Sequence, residues 1–115
     1  MKSISKLYRA VSTLENEDYT IQNEIRCIET SLQVKQFFLK KAEVIEYANL
    51  SKIANFKPPY TYIWEIEIYS EMFKTINADF LKLDSFKAVS IEENNLKYFN
   101  KCIKLVKQNE RINYI

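Results

Sequence analysis

Glu65, Glu67 and Glu71, with Lys74 following, form an acidic group in which acid–base or metal chemistry is first sought. A carboxylate-bridged metal pair would also draw on a Glu-x-x-His motif, and the chain contains no histidine. The spacing instead predicts a solvated helix face on which Glu71 and Lys74 pair at i,i+3. Glu43 and Glu46 repeat the same spacing with nothing nearby to complete a site. Cys27 and Cys102 are the only cysteines. They lack metal-ligand spacing, and no histidine is present to serve as base to a thiolate nucleophile. Two free thiols in a reducing cytoplasm are the expectation. No catalytic residue, metal site or cofactor is expected, and the chain is not expected to be an enzyme.

Two constellations suit binding better. Tyr60, Tyr62 and Trp64 gather aromatic rings beside Glu65 and Glu67. Tyrosine and tryptophan dominate protein interfaces because they bury a large area with few rotatable bonds and keep a polar handle. These residues are the predicted protein-binding surface. Lys97, Lys101 and Lys104, joined by Arg111 and interleaved with Tyr98 and Phe99, form a basic stripe that could follow a phosphate backbone. No helix-turn-helix, zinc or single-strand-binding motif accompanies it. The leading expectation is therefore a small non-enzymatic protein-binding module, such as an inhibitor, an immunity or anti-defence factor, or a chaperone, that occludes a partner's surface. The alternative is a nucleic-acid-binding accessory protein that uses the basic C-terminal helix.

Composition sets the bounds. The chain has 115 residues and a net charge of +2, with 47% hydrophobic and 28% charged residues. That is a globular balance, expected to make a single domain over 1–115. Near-neutrality selects no class of partner. No run approaches the ~18 to 20 apolar residues that span a bilayer, and the N-terminal segment lacks the apolar core of a signal peptide. Abundant lysine, isoleucine, asparagine and tyrosine suit an AT-rich coding sequence, as in phages, plasmids, viruses and low-GC bacteria. The chain has no glycine, which weighs against phosphate-cradling loops and hairpin-rich β folds.

The elements that must position these groups read as helices. Tyr62, Ile66, Tyr69, Phe73, Ile76, Phe80 and Leu83 fall at alternating spacings of four and three, the stripe of one helix face. Pro58 and Pro59 stand where prolines suit a helix's first turn. An alternation through Tyr60, Tyr62, Trp64, Ile66 and Ile68 competes locally as a strand and stops at Tyr69. Ile4, Leu7, Val11 and Leu14 predict a first helix that ends near Glu15, or else one long helix over 3–48 with Asp18 in its seam; Ser12 with Glu15 makes a capping box and favours the break. Ile21, Ile25, Ile28 and Leu32 begin a second helix, over about 19–49. The segment 49–57, with Leu50, Ile53 and Phe56 among polar residues, reads as a short extra turn or packed loop. The third helix covers about 59–83. Ser90 to Glu93 reads as a capping box opening a fourth, which carries Leu96, Phe99, Ile103 and Val106. The fold expected is all-α: a small antiparallel bundle or long helical hairpin of three to four helices, with a homodimer through its apolar seams as a further expectation.

Overall fold

The computed structural model describes residues 3–27, 34–76, 79–83 and 86–114. Among them the chain forms six strands and four helices. In chain order they are β1 (Ile4–Val11), α1 (Thr13–Gln22), β2 (Val34–Phe38), α2 (Lys41–Ile53), β3 (Tyr62–Tyr69), α3 (Ser70–Phe73), β4 (Asp79–Leu83), β5 (Phe86–Glu92), α4 (Glu93–Cys102) and β6 (Ile103–Arg111). The strands make one sheet in the order β4-β5-β2-β1-β3-β6, with every neighbouring pair antiparallel. This α+β architecture overturns the all-α bundle.

The sheet follows from alternation. In β3, Trp64, Ile66 and Ile68 project to one face, where they join Leu7, Val11, Phe37, Val89 and Ile91 under Leu96 and Phe99 of α4. Tyr19 of α1 and Phe73 of α3 pack against the same cluster. Ile63 projects the other way, into a second cluster with Ala10, Phe38 and Ala88 beneath Val44 and Ala48 of α2. Helices therefore cover both faces. β1 lies in the middle and is paired with β3 along its whole length, from Ile4↔Tyr69 to Val11↔Tyr62. Its ladder with β2 is reduced to Tyr8↔Phe38. There the Arg9 side chain spans the join, Nη1 donating to the Gln36 carbonyl at 2.9 Å.

The helical stripe read across 62–83 is a coincidence of three elements. Tyr62, Ile66 and Tyr69 belong to β3, Phe73 to α3, and Phe80 and Leu83 to β4. The competing alternation was the operative one, and it stops at Tyr69 because the strand does. At the N-terminus, Leu7 and Val11 are four apart. That spacing keeps side chains on one face of a strand as well as of a helix. Leu14 and Ile21, expected in the seam, are exposed; Ile28 and Leu32 lie outside the described residues. Ser12 does cap a helix, accepting from Glu15 N–H at 3.2 Å, but that helix begins there instead of ending. Ser90 caps nothing: it is buried within β5, and the N-cap of α4 is Glu92, with no side-chain capping bond. Pro58 and Pro59 precede a strand, and the Lys57–Pro58 peptide is cis.

The missing glycine did not prevent a β fold, because asparagine takes its positions. Among the described residues the left-handed backbone angles fall at Asn23 (φ 56°) and Asn55 (φ 59°). Asparagine tolerates that region through local hydrogen bonding of its short polar side chain.

Candidate functional site

The end of α2 carries Ile53, the most exposed large apolar side chain among the described residues. Val44 and Ala48 face the sheet, so the following turns carry Leu50 and Ile53 outward, at 45% and 82% exposure. The helix then closes in a Schellman turn: Asn55 N–H donates to Lys52 O at 3.0 Å and Phe56 N–H to Ser51 O at 2.9 Å. Asn55 supplies the left-handed residue this turn requires. The reversal lays Phe56, itself 48% exposed, on Tyr60, with ring centroids 5.6 Å apart and planes 25° from parallel. Tyr47 supports Tyr60 from α2, centroids 6.2 Å apart. Tyr114, arriving after β6, donates its hydroxyl to the Tyr60 carbonyl at 2.6 Å.

Between these rings lies a cavity of about 300 Å³, lined in part by Ser51, Lys52, Phe56, Lys57, Tyr60 and Tyr114. The Lys52 ammonium sits 4.4 Å over the centroid of the Tyr114 ring, a cation–π contact. Among the described residues of this lining Lys52 and Lys57 carry charge, and none contributes a carboxylate. Burial, with the neighbouring Tyr47 second, pushes the Tyr60 hydroxyl up to about 12, so it stays protonated at neutral pH. Burial likewise pushes Tyr114 up. A concave aromatic wall with cations at its rim can bind.

The predicted protein-binding residues do not come together. Tyr60 lines the cavity. Trp64 is fully buried, its ring 5.2 Å from that of Tyr19 and its Nε1–H donating to Asn16 Oδ1 at 2.8 Å. It is a core residue, not a surface anchor. Tyr62 lies on the same face as Trp64, half-buried, with the Arg111 guanidinium 5.3 Å over its ring. Strand alternation sends Glu65 and Glu67 to the opposite face. Among the described residues, buried Glu65 Oε2 has no hydrogen bond and is compensated by charge, from Lys107 at 3.3 Å and Lys6 at 3.7 Å. A helix would have placed these residues within two turns of one another; a strand divides them.

The basic stripe is divided too. Lys97 and Lys101 are exposed on α4, whereas Lys104 and Arg111 stand near opposite ends of β6, about 23 Å apart at strand rise. Lys97 lines a cleft that also holds Glu24 and Glu93. Lys74 does pair with Glu71, at 3.3 Å, and Glu43 accepts the Lys87 backbone N–H at 3.1 Å. Neither cysteine forms a disulfide; Cys27 is half-buried and Cys102 buried. Burial pushes both thiols up. Among the described residues no three His, Cys, Asp or Glu side chains cluster as metal ligands, and no helix is long and apolar enough to cross a membrane.

Sequence reasoning did not single out the buried ion triad at the β1–β2 join. Glu15 accepts from Arg9 through both oxygens, at 2.7 and 2.9 Å, and its Oε2 lies 3.6 Å from Lys35 Nζ. The side chains of Arg9, Glu15 and Lys35 are 14%, 12% and 5% exposed. Burial alone would raise Glu15, but Arg9 and Lys35 outweigh it and hold the carboxyl below its ordinary value. Burial and then Arg9 pull the Lys35 ammonium down despite Glu15. Burial opposes Arg9's charge as well, yet Glu15 leaves it above its ordinary value. The triad fixes α1 and β2 to β1. It was hidden because Arg9 and Lys35 occupy inward strand positions that composition assigns to solvent.

No protein-family model, curated protein or solved structure matches this chain.

Proposed function

We propose that the chain is a small, non-enzymatic, cytoplasmic protein-binding module that acts by occluding a partner's surface, in the manner of an inhibitor, an immunity or anti-defence factor, or a chaperone. The α2 tip carries this reading. Ile53 at 82% exposure, with Leu50 and Phe56 beside it, leaves aliphatic and aromatic groups in water next to an aromatic cavity. Scattered apolar residues on a surface need no explanation, but a contiguous group beside a concavity marks an interaction site. Two cysteines without a disulfide suit a reducing compartment. The surface differs from the one predicted, sharing only Tyr60 with it.

The reading is tested by affinity capture from a nuclease-treated lysate of the encoding organism, with wild type and Ile53→Asp run side by side. Ile53 makes little contact with the fold, so the variant should keep the wild-type melting temperature. A stoichiometric protein retained by wild type and lost with Ile53→Asp is the expected result. Retention of the same proteins by both, or of nucleic acid alone when nuclease is omitted, overturns it. Sedimentation of the purified chain shows whether the retained protein is a second copy of itself.

A further inference from the structure

The cavity beside the α2 tip carries information about what it takes. We infer that it accepts an acidic segment of the partner protein: an apolar or aromatic side chain enters between Phe56, Tyr60 and Tyr114, and flanking carboxylates meet Lys52 and Lys57. This deepens the protein-binding reading of the tip and rests on it.

Size comes first. At about 300 Å³ the cavity stands at the lower end of the roughly 300–1,000 Å³ of small-ligand pockets, which suits one inserted side chain better than an extended cofactor. Charge comes second. Aromatic hollows also take quaternary ammonium groups, but here the Lys52 ammonium already covers the Tyr114 ring. A second cation would meet Lys52 and Lys57 with no carboxylate among the described residues of the lining to offset them. Neither lysine has an ion-pair partner among the described residues. The rim therefore favours an anion.

Aromatic rings with lysines also describe a single-stranded nucleic-acid site, where bases stack and phosphates pair. The neighbouring residues decide against it. Leu50 and Ile53 continue the exposed surface away from the cavity; aliphatic groups offer a base nothing to stack on, whereas they bury well against another protein's side chains.

A displayed library of random short peptides, selected against the intact chain, tests the inference. The expected consensus is a leucine or aromatic residue flanked by aspartate or glutamate. The selected peptide should perturb backbone amide resonances of residues 51–57, 60, 61 and 114. Its affinity should fall with added salt, and Lys52→Glu with Lys57→Glu should weaken it about tenfold or more, as expected for a pair of reversed charges. Lys52→Gln with Lys57→Gln, which keeps the side-chain stems, guards against a folding defect and should weaken binding to a smaller extent. A neutral or basic consensus, perturbations elsewhere, affinity unchanged by charge reversal, or no enriched peptide would each overturn the inference. Tighter binding of oligothymidylate at the same amides would do so as well, by assigning the cavity to nucleic acid. Capture by the Ile53-dependent tip is read separately. If the captured partner survives Lys52→Glu with Lys57→Glu but is lost with Ile53→Asp, the tip still binds protein and only the acidic segment is wrong.

Discussion

Glu15→Gln is the substitution that probes the core most directly. The carboxylate is the only anion of the triad, taking two hydrogen bonds from Arg9 at 2.7 and 2.9 Å and an ion pair from Lys35 at 3.6 Å. Glutamine keeps the shape, the helix and one acceptor for Arg9, but leaves two cations facing each other with side chains 14% and 5% exposed. Breaking a buried pair from one side costs about 3–5 kcal/mol. The retained acceptor places the expected loss near the lower limit, ~3 kcal/mol, a large share of the ~5–15 kcal/mol that holds a domain together. Lys35→Met provides the contrast. It removes the excess cation while keeping an unbranched stem beside an intact Arg9–Glu15 pair, so it should stay within about 1 kcal/mol of wild type or stabilise. Urea unfolding measures both. The pH dependence adds a sign. Glu15 is lowered in the fold, so its contribution is complete above the ordinary carboxylate value and drains away as pH falls through the lowered one. Wild type should therefore lose stability in acid that the glutamine variant has already lost. Lys35 is lowered as well, so in the alkaline range below lysine's usual value the unfolded chain holds the extra proton. Stability should rise with pH there, and Lys35→Met should remove that rise. A Glu15→Gln loss below ~1 kcal/mol, or an equal loss for Lys35→Met, would refute the triad as a buried, mutually dependent unit.

Trp64 is the chain's single tryptophan, and its buried ring should emit at short wavelength and resist iodide quenching; emission at the wavelength of free tryptophan would refute its core position. Trp64→Phe, which leaves Asn16 Oδ1 with Gln108 as its remaining side-chain donor, should cost about 1–3 kcal/mol by thermal unfolding. At Asn55, replacement by alanine should cost about 1–2 kcal/mol for the left-handed backbone, and replacement by glycine should be close to neutral; equal effects would show that the turn imposes no such angle.

The sequence disclosed cores better than it disclosed elements. Leu7, Val11, Ile66, Ile68, Leu96 and Phe99 were legible as interior positions and are buried, whereas Trp64, read as a surface anchor, is buried with them. Their spacing did not say what carried them. Residues four apart share a face in a helix and in a strand alike, so Leu7 with Val11, and Trp64 with Ile68, fit both periods. The deciding positions lay between them. Ile63 is apolar where a one-sided strand would be polar, because α2 covers the second face, and that insertion broke the clean alternation that marks a strand with one wet side. Arg9 and Lys35 broke it again from the other direction, as charges pointing inward.

The site was less legible for a different reason: it is assembled from segments whose meeting depends on the sheet. Leu50, Ile53 and Phe56 could be seen at regular spacing, but nothing local says that Tyr60 returns beneath Phe56 or that Tyr114 arrives from beyond β6. One residue joins the two problems. In a chain without glycine, Asn55 takes the left-handed angle that ends α2, and the same reversal sets Phe56 against Tyr60. Its backbone therefore serves the fold and the cavity together. A substitution there that merely strained the turn would be read as a modest loss of stability. If the ring of Phe56 moved with the strained turn, the same substitution would also loosen whatever the cavity holds. The two losses need not scale: the helix end can relax by fraying one turn, whereas a stacked pair of rings at 5.6 Å loses its geometry with the first small displacement. Binding at the α2 tip should for that reason be more sensitive to Asn55→Ala than folding is.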